Sequence, residues 1–360
     1  MSRVRFGLVG TGWRADFYLR LAALMPEYFE VVALTARDPA RATAAAAAWS
    51  VPAADDVSHL LSYWRPDFVV ASVARAGTPR LVSELAGRGV PVLTETPPAA
   101  EVADLERLWS GLATTGGAEL VQVAEQYPSL PRFQALQTVI AAGLLGQVTS
   151  AQLSWTHGYH AVAVLRRLLD TGLSELTVRA RDFHAPAQRS LGRDGWPDQL
   201  VTEPVRQTIA TLDFAGRLGL YDFTDGQWFH PLMSRRVTVR GTVGEVVNDE
   251  LTRLEDVATP VRQRLQRRVT GVDGDLEGHD LDTISLGDRV LYRNPYQGFR
   301  LSDEEIAIAT LLTAMGEWVA GTGPQPYPLA EACQDHRIAL AIDVAAAADL
   351  PVALGPQPWW

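Results

Sequence analysis

The chain has 360 residues, 47% of them hydrophobic and 21% charged, with a net charge of −10 at pH 7. That length at ordinary globular composition suggests about two domains and excludes a small scaffold held together by staples. The acidic balance lacks the excess of Lys and Arg that nucleic acid or an anionic membrane surface attracts, so we expect neither as a partner. The lone Cys333 excludes an intrachain disulfide and a cysteine-rich metal site, which fits a reducing cytoplasm. The apolar run at 4–9 is too short for the core of a signal peptide, and no stretch of about 18 apolar residues follows, so neither a leader nor a membrane span is expected.

In chain order, the first third alternates short β-branched runs with helical patterns. Strands are predicted at 4–9, 30–35, 68–73, 90–94 and 120–124, and helices at 15–25, 40–49, 79–88 and 102–114. This is the rhythm of βαβ units, and it predicts an α/β, doubly wound Rossmann domain over residues 1–127. After Pro128 the pattern changes. A helix at 132–142 precedes strands at 208–214 and 218–223 around Gly216, a hairpin at 236–240 and 244–247, and two helices at 303–321 and 329–348. That order predicts an α+β domain with an open, mostly antiparallel sheet over residues 128–360. The arginines within 262–268 read as a solvated loop or helix face.

Directly after the first strand, Gly10, Gly12 and Ala15 fill a G-x-G-x-x-G/A pattern that also contains Trp13. The first glycine permits a tight turn, the second lets backbone approach a pyrophosphate, and the small third residue lets the helix pack on the strand with its N-terminal amides toward the anion. A purely structural turn is the alternative. The end of the second strand carries Thr35 and Arg37, with Ala36 where an NAD enzyme offers a carboxylate. A cation and a hydroxyl there favour NADP(H); NAD(H) stays open if Asp38 reads the ribose instead.

The segment Gly89-Val-Pro-Val-Leu-Thr-Glu95-Thr96-Pro97 resembles the G-x-x-V-x-x-E-K-P motif of the glucose–fructose oxidoreductase, inositol dehydrogenase and rhizopine-catabolism (Gfo/Idh/MocA) family. Thr78-Pro79, Gly143-Leu-Leu-Gly146-Gln-Val148 and Gly158-Tyr-His160 with the run after it are similar to further family segments, the last to its D-x-G-x-H-x-x-D helix. The resemblance implies a nicotinamide-dependent oxidoreductase acting on a small molecule, often a dimer or tetramer, with Thr78 and Glu95 at the cofactor. Three positions depart from the motifs: the lysine is Thr96, the first aspartate Thr156 and the later one Ala163. Of the family's lysine, aspartate and histidine, only His160 is kept.

Hydride transfer needs a group to give or take a proton. His160 is the first candidate, since free imidazole titrates near neutrality. Tyr127, before a proline after the fifth strand, is the second; it is similar to a tyrosine of the thiazoline-reducing branch. His157, Thr96, Thr156 and Trp228 are candidate substrate contacts, with Phe229, His230 and the loop at 192–197 as further pocket elements. Two histidines with no carboxylate or cysteine seen near them make a poor metal site, and none is expected. The readings left open are carbonyl or carbinol chemistry on a sugar-like molecule, reduction of a C=N bond, a degenerate nucleotide-binding sensor or partner subunit, and, as the resemblance also allows, a redox-assisted elimination that regenerates its cofactor in place.

Overall fold

The computed structural model describes residues 3–192, 195–228, 230–270 and 280–360. Phe229 and the Arg193-Asp194 pair of the expected pocket loops lie outside the described residues.

The first domain runs β1 (Val4–Val9), α1 (Ala15–Leu24), β2 (Phe29–Thr35), α2 (Pro39–Trp49), the short turn α3 (Val57–His59), β3 (Phe68–Ala71), α4 (Thr78–Gly87), β4 (Val92–Thr94), α5 (Val102–Ala113) and β5 (Val121–Val123). All expected elements of this part are present. The third, fourth and fifth strands are each two residues shorter than predicted. The strands pair in parallel in the order β2-β1-β3-β4-β5. A sheet covered on both faces needs continuous apolar strands, which is why β3 and β4 are buried at every residue. Local chemistry starts the helices: the Asp38 carboxylate accepts the amides of Ala40 and Arg41, and Pro39 supplies the preset φ of a first helical turn. The strand order reverses at β1, so the crevice between the carboxyl ends of β1 and β3 is the topological switch point.

The rest contains α6 (Pro131–Ala141), β6 (Val148–Ser154), α7 (Gly158–Leu169), β7 (Leu176–Gln188), β8 (Thr202–Asp213), β9 (Leu218–Thr224), β10 (Arg236–Gly241), β11 (Gly244–Val247), β12 (Glu250–Leu254), β13 (Pro260–Val269), β14 (Leu281–Leu286), β15 (Arg289–Arg293), α8 (Asp303–Val319), α9 (Leu329–Ala348) and β16 (Val352–Leu354). Among the described residues its strands form one sheet of eleven, antiparallel throughout except where β6 meets β9. The β8–β9 and β10–β11 pairs match the expected hairpins. The arginine run does not match its expectation: it is strand β13, paired with β12 and β14, with Arg262, Arg264, Arg267 and Arg268 exposed. A strand at a solvated sheet face can carry charge at most outward positions, which erases the apolar alternation that would have marked it.

Helix α7 is nearly all buried, packed between α9 and strands β6 and β9. One apolar core continues across both sheets, from the stacked rings of Phe6 and Phe68, 5.7 Å apart, to Phe133 and Leu165. The N-terminal end of α7 is thereby held against the carboxyl end of β5. Among the described residues no helix is long and apolar enough to cross a membrane.

Candidate active site

The glycine loop fits a dinucleotide. Gly10 has φ +123°, and a Cβ there would stand 1.9 Å from the Ser72 carbonyl oxygen, so only glycine lets β1 turn this close to the end of β3. Gly12 is the opposite case. A Cβ on it meets nothing within 4 Å, which leaves open space above the first turn of α1 for a pyrophosphate. Ala15 is fully buried where α1 meets the sheet. The contrast gives a prediction. Gly12→Val is expected to fold with unchanged thermal stability and lose nicotinamide dinucleotide binding, whereas Gly10→Val is expected to destabilise the fold itself; melting curves alongside fluorescence titrations with NADPH and NADH check both.

Thr35 and Thr78 are buried at the ends of β2 and α4, and the Thr35 carbonyl accepts the Gly10 amide at 2.8 Å. Arg37 is exposed just beyond β2, while the Asp38 carboxylate is committed to capping α2. Trp13 is half-exposed on the loop, edge-on to Phe17 at 5.0 Å.

Glu95 follows β4, and the Thr96–Pro97 peptide is cis. The Glu95 carboxylate accepts from the Tyr18 hydroxyl and from Arg14 Nε at 3.3 Å. Arg14 also reaches Glu304 on α8 at 2.7 Å, and Gln126 donates to the same carboxylate at 3.2 Å. Glu95 is therefore turned toward α1, tying the glycine loop to the second domain. Any contact it makes with cofactor is added to that load.

Beside this cluster His160 Nδ1 lies 2.6 Å from Glu125 Oε2, and the other Glu125 oxygen accepts the Tyr127 amide at 3.0 Å. The Glu125 side chain is 2% exposed and that of His160 10%. Burial raises the Glu125 carboxyl to about 8 and lowers the His160 imidazole to about 3. The expectation that His160 titrates near neutrality is thus corrected: desolvation keeps the ring neutral. The expectation that no carboxylate stands near the histidines is corrected too. Glu125 went unselected in the sequence, although a glutamate directly after a buried parallel strand, at the edge where ligands bind, was the available signal.

Around the pair the structure gathers most of the other candidates. The Tyr127 ring lies 4.6 Å from that of His160, with its hydroxyl toward Thr156. Burial raises this phenol to about 12. Thr156 accepts Trp228 Nε1–H at 3.3 Å, and Trp228 packs edge-on to His157 at 4.8 Å. His157 has a buried Nδ1 with no hydrogen-bond partner, and burial lowers it to about 3. Thr96 faces the Tyr159 hydroxyl, and the Tyr159 ring lies 4.4 Å from His160. His230 points elsewhere, onto the Gln188 carbonyl at 2.7 Å. Behind Glu125, a small cavity open to a water centre over about 10 Å³, enough for one molecule, is lined by Thr96, Tyr159, Asp335 and His336. Among the described residues no cluster of metal-ligating side chains occurs.

Residues 4–124 match the model of the Gfo/Idh/MocA oxidoreductase family, described as an NAD-binding Rossmann fold. No curated protein matches the sequence. Among solved structures, an NAD-binding oxidoreductase from Klebsiella pneumoniae is similar at 18% identity and TM-score 0.69, covering 99% of this chain and 100% of its own. An oxidoreductase from Agrobacterium radiobacter, in complex with NAD+, L-tartaric acid and magnesium, is similar at 15% identity and TM-score 0.68, covering 97% and 98%. A myo-inositol dehydrogenase from Corynebacterium glutamicum follows at 15% and 0.66, covering 99% and 100%. The solved structures share the fold of the whole chain, and the NAD-binding Rossmann match is to its first third. The family match covers residues 4–124, the part of the chain that carries the parallel sheet and the glycine loop.

Proposed function

We propose that the protein is an NADP(H)-preferring oxidoreductase that moves a hydride to or from a carbonyl or carbinol carbon of a small, polar, sugar-like molecule, with His160 handling the proton. The observation that carries this reading is the buried His160–Glu125 pair at the carboxyl edge of the parallel sheet, the edge from which the Gly10–Gly12 loop also leaves β1. Gly10, Gly12, Ala15, Thr35 and Thr78 would hold the dinucleotide, whose nicotinamide supplies or accepts the hydride. The tartaric acid and inositol in the names of the similar structures support a polar, hydroxylated substrate. A second reading within the class, reduction of a C=N bond, is favoured by Thr96 standing where an ammonium is expected and by the Tyr127 phenol beside His160.

The first test is a titration with NADPH and with NADH, read by quenching of the intrinsic fluorescence of the ten tryptophans. Absorbance loss at the NADPH band with aldoses, keto-polyols and cyclic imines then separates the two readings. NADPH is expected to bind more tightly. Arg37→Ala is expected to weaken NADPH about tenfold to a hundredfold, the worth of a charge-assisted hydrogen bond, with NADH unchanged. Equal loss for both cofactors, or tighter NADH binding by the wild type, would remove the phosphate role of Arg37. Cofactor binding without oxidation by any of these substrates would favour the sensor reading.

A further inference from the structure

Resting on the oxidoreductase reading, we propose that Glu125 and His160 act as a single proton relay in which Glu125 is the positioning residue and proton reserve and His160 Nε2 is the atom that meets the substrate. In the direction of reduction, the hydride of the reduced nicotinamide carries two electrons to the substrate carbon, and the Nε2 proton passes to the substrate oxygen or nitrogen. The carboxyl proton of Glu125 crosses to Nδ1 in the same step. The ring ends neutral in its other tautomer, the carboxyl ends as carboxylate, and solvent returns one proton. Oxidation runs the same transfers backward.

Geometry supports this assignment. The 2.6 Å contact occupies Nδ1, while Nε2, on the far side of the ring, has no hydrogen-bond partner among the described residues. A ring held neutral by burial cannot give up its only N–H without becoming an imidazolate, unless a second proton arrives at Nδ1. Glu125 is the group in contact with Nδ1. Its other oxygen is pinned by the Tyr127 amide, so the proton-bearing oxygen faces the ring.

The surrounding charges act on the same equilibrium. Arg14 faces the pair from α1, flanked by Glu95 after β4 and Glu304 on α8. Tyr127, His157 and Tyr159 enclose it. Asp335 and His336 face Glu125 from α9 across the small cavity, with Tyr327 beyond, and Arg75 acts on His157 and Tyr159 from the β3–α4 connection. Arg14 acts against a proton on either group, Glu95 and Glu304 offset it at His160, and burial is what keeps the proton on Glu125. Since the raised Glu125 pKa is about 8, the relay donates below that pH and accepts above it.

The test is a long-range proton–nitrogen correlation spectrum of the full-length, nitrogen-15-labelled protein from pH 5.5 to 10, with His160 assigned by the loss of its signals in His160→Asn. We expect His160 to stay neutral throughout, carrying its proton on Nε2 at low pH and on Nδ1 at high pH, with the exchange centred near pH 8. Glu125→Gln is expected to abolish that exchange. In kinetics, the same variant should lower kcat and flatten its pH dependence with little change in KM, whereas a merely structural contact would leave the profile intact. An imidazolium titrating near neutrality, or one fixed tautomer across the range, overturns the relay. The wild-type titration decides even if Glu125→Gln does not fold. The NADPH and NADH titrations are independent of it, so tautomer exchange in a protein that binds neither would sink the oxidoreductase reading and leave the pair's proton chemistry standing.

Discussion

His160→Asn is expected to lower turnover roughly 10²- to 10⁴-fold, the usual contribution of a general acid or base, while NADPH and NADH affinities stay within a factor of about two. The side chain lies deep in the site, its ring held between Tyr127 and Tyr159 and its Nδ1 bound to Glu125. Asparagine keeps a polar group of similar reach but has no pair of nitrogens to pass a proton through. The glycine loop lies between β1 and α1 and has no contact with the imidazole, so the binding of the dinucleotide is not expected to depend on it. Tyr127→Phe is the comparison to run beside it. If the phenylalanine variant loses the larger factor, the phenol with its pKa pushed up to about 12 is the proton donor and His160 only supports it. Equal turnover in His160→Asn and wild type would remove His160 from the chemistry altogether.

Arg166→Met is expected to destabilise the fold by about 3–5 kcal/mol, because it strands a buried carboxylate. Arg166 is 4% exposed on α7. One of its guanidinium nitrogens donates to Asp335 and another to Glu331 at 2.6 Å, both on α9, and Nε and Nη2 donate to the Gly172 carbonyl at 3.2 and 2.6 Å. The Tyr327 hydroxyl also donates to Asp335. Removing the cation alone leaves Asp335 desolvated against an apolar side chain. Replacing both, Arg166→Met with Asp335→Asn, should recover much of the loss, and a double-mutant cycle by urea unfolding measures the coupling. A loss below about 1 kcal/mol would mean that water reaches the cluster. The cluster matters for function because it fixes α9 against α7, placing Asp335 and His336 behind the Glu125 pocket and the start of α7 beside β5.

The parallel sheet was legible because its signals are local. Each strand is a short apolar run, α2 and α4 start at a capping aspartate or a proline, and the glycine pattern follows a strand and opens a helix within nine residues of sequence. The second sheet was legible only at its turns. Gly216, with φ +116°, marks the β8–β9 reversal, and the pattern at Gly244 marks the next hairpin. Strands β7 and β13 escaped notice because their outward faces are charged, so neither apolar alternation nor β-branched enrichment survives in them.

The same division runs through the site. The sequence by itself determined the dinucleotide loop, the absence of a carboxylate at Ala36, the loss of the lysine at Thr96, and a histidine and a tyrosine worth testing. Those are statements about residue types at short spacings, where backbone geometry leaves little choice. Only the tertiary structure decided that Glu125 belongs to His160. The two are 35 residues apart, one at the end of a parallel strand and the other opening a helix beneath the second sheet. Packing of α7 brings them to 2.6 Å and removes the water that would have kept the carboxyl acidic and the imidazole basic. Desolvation depends on everything that surrounds a group, and no spacing along the chain encodes it.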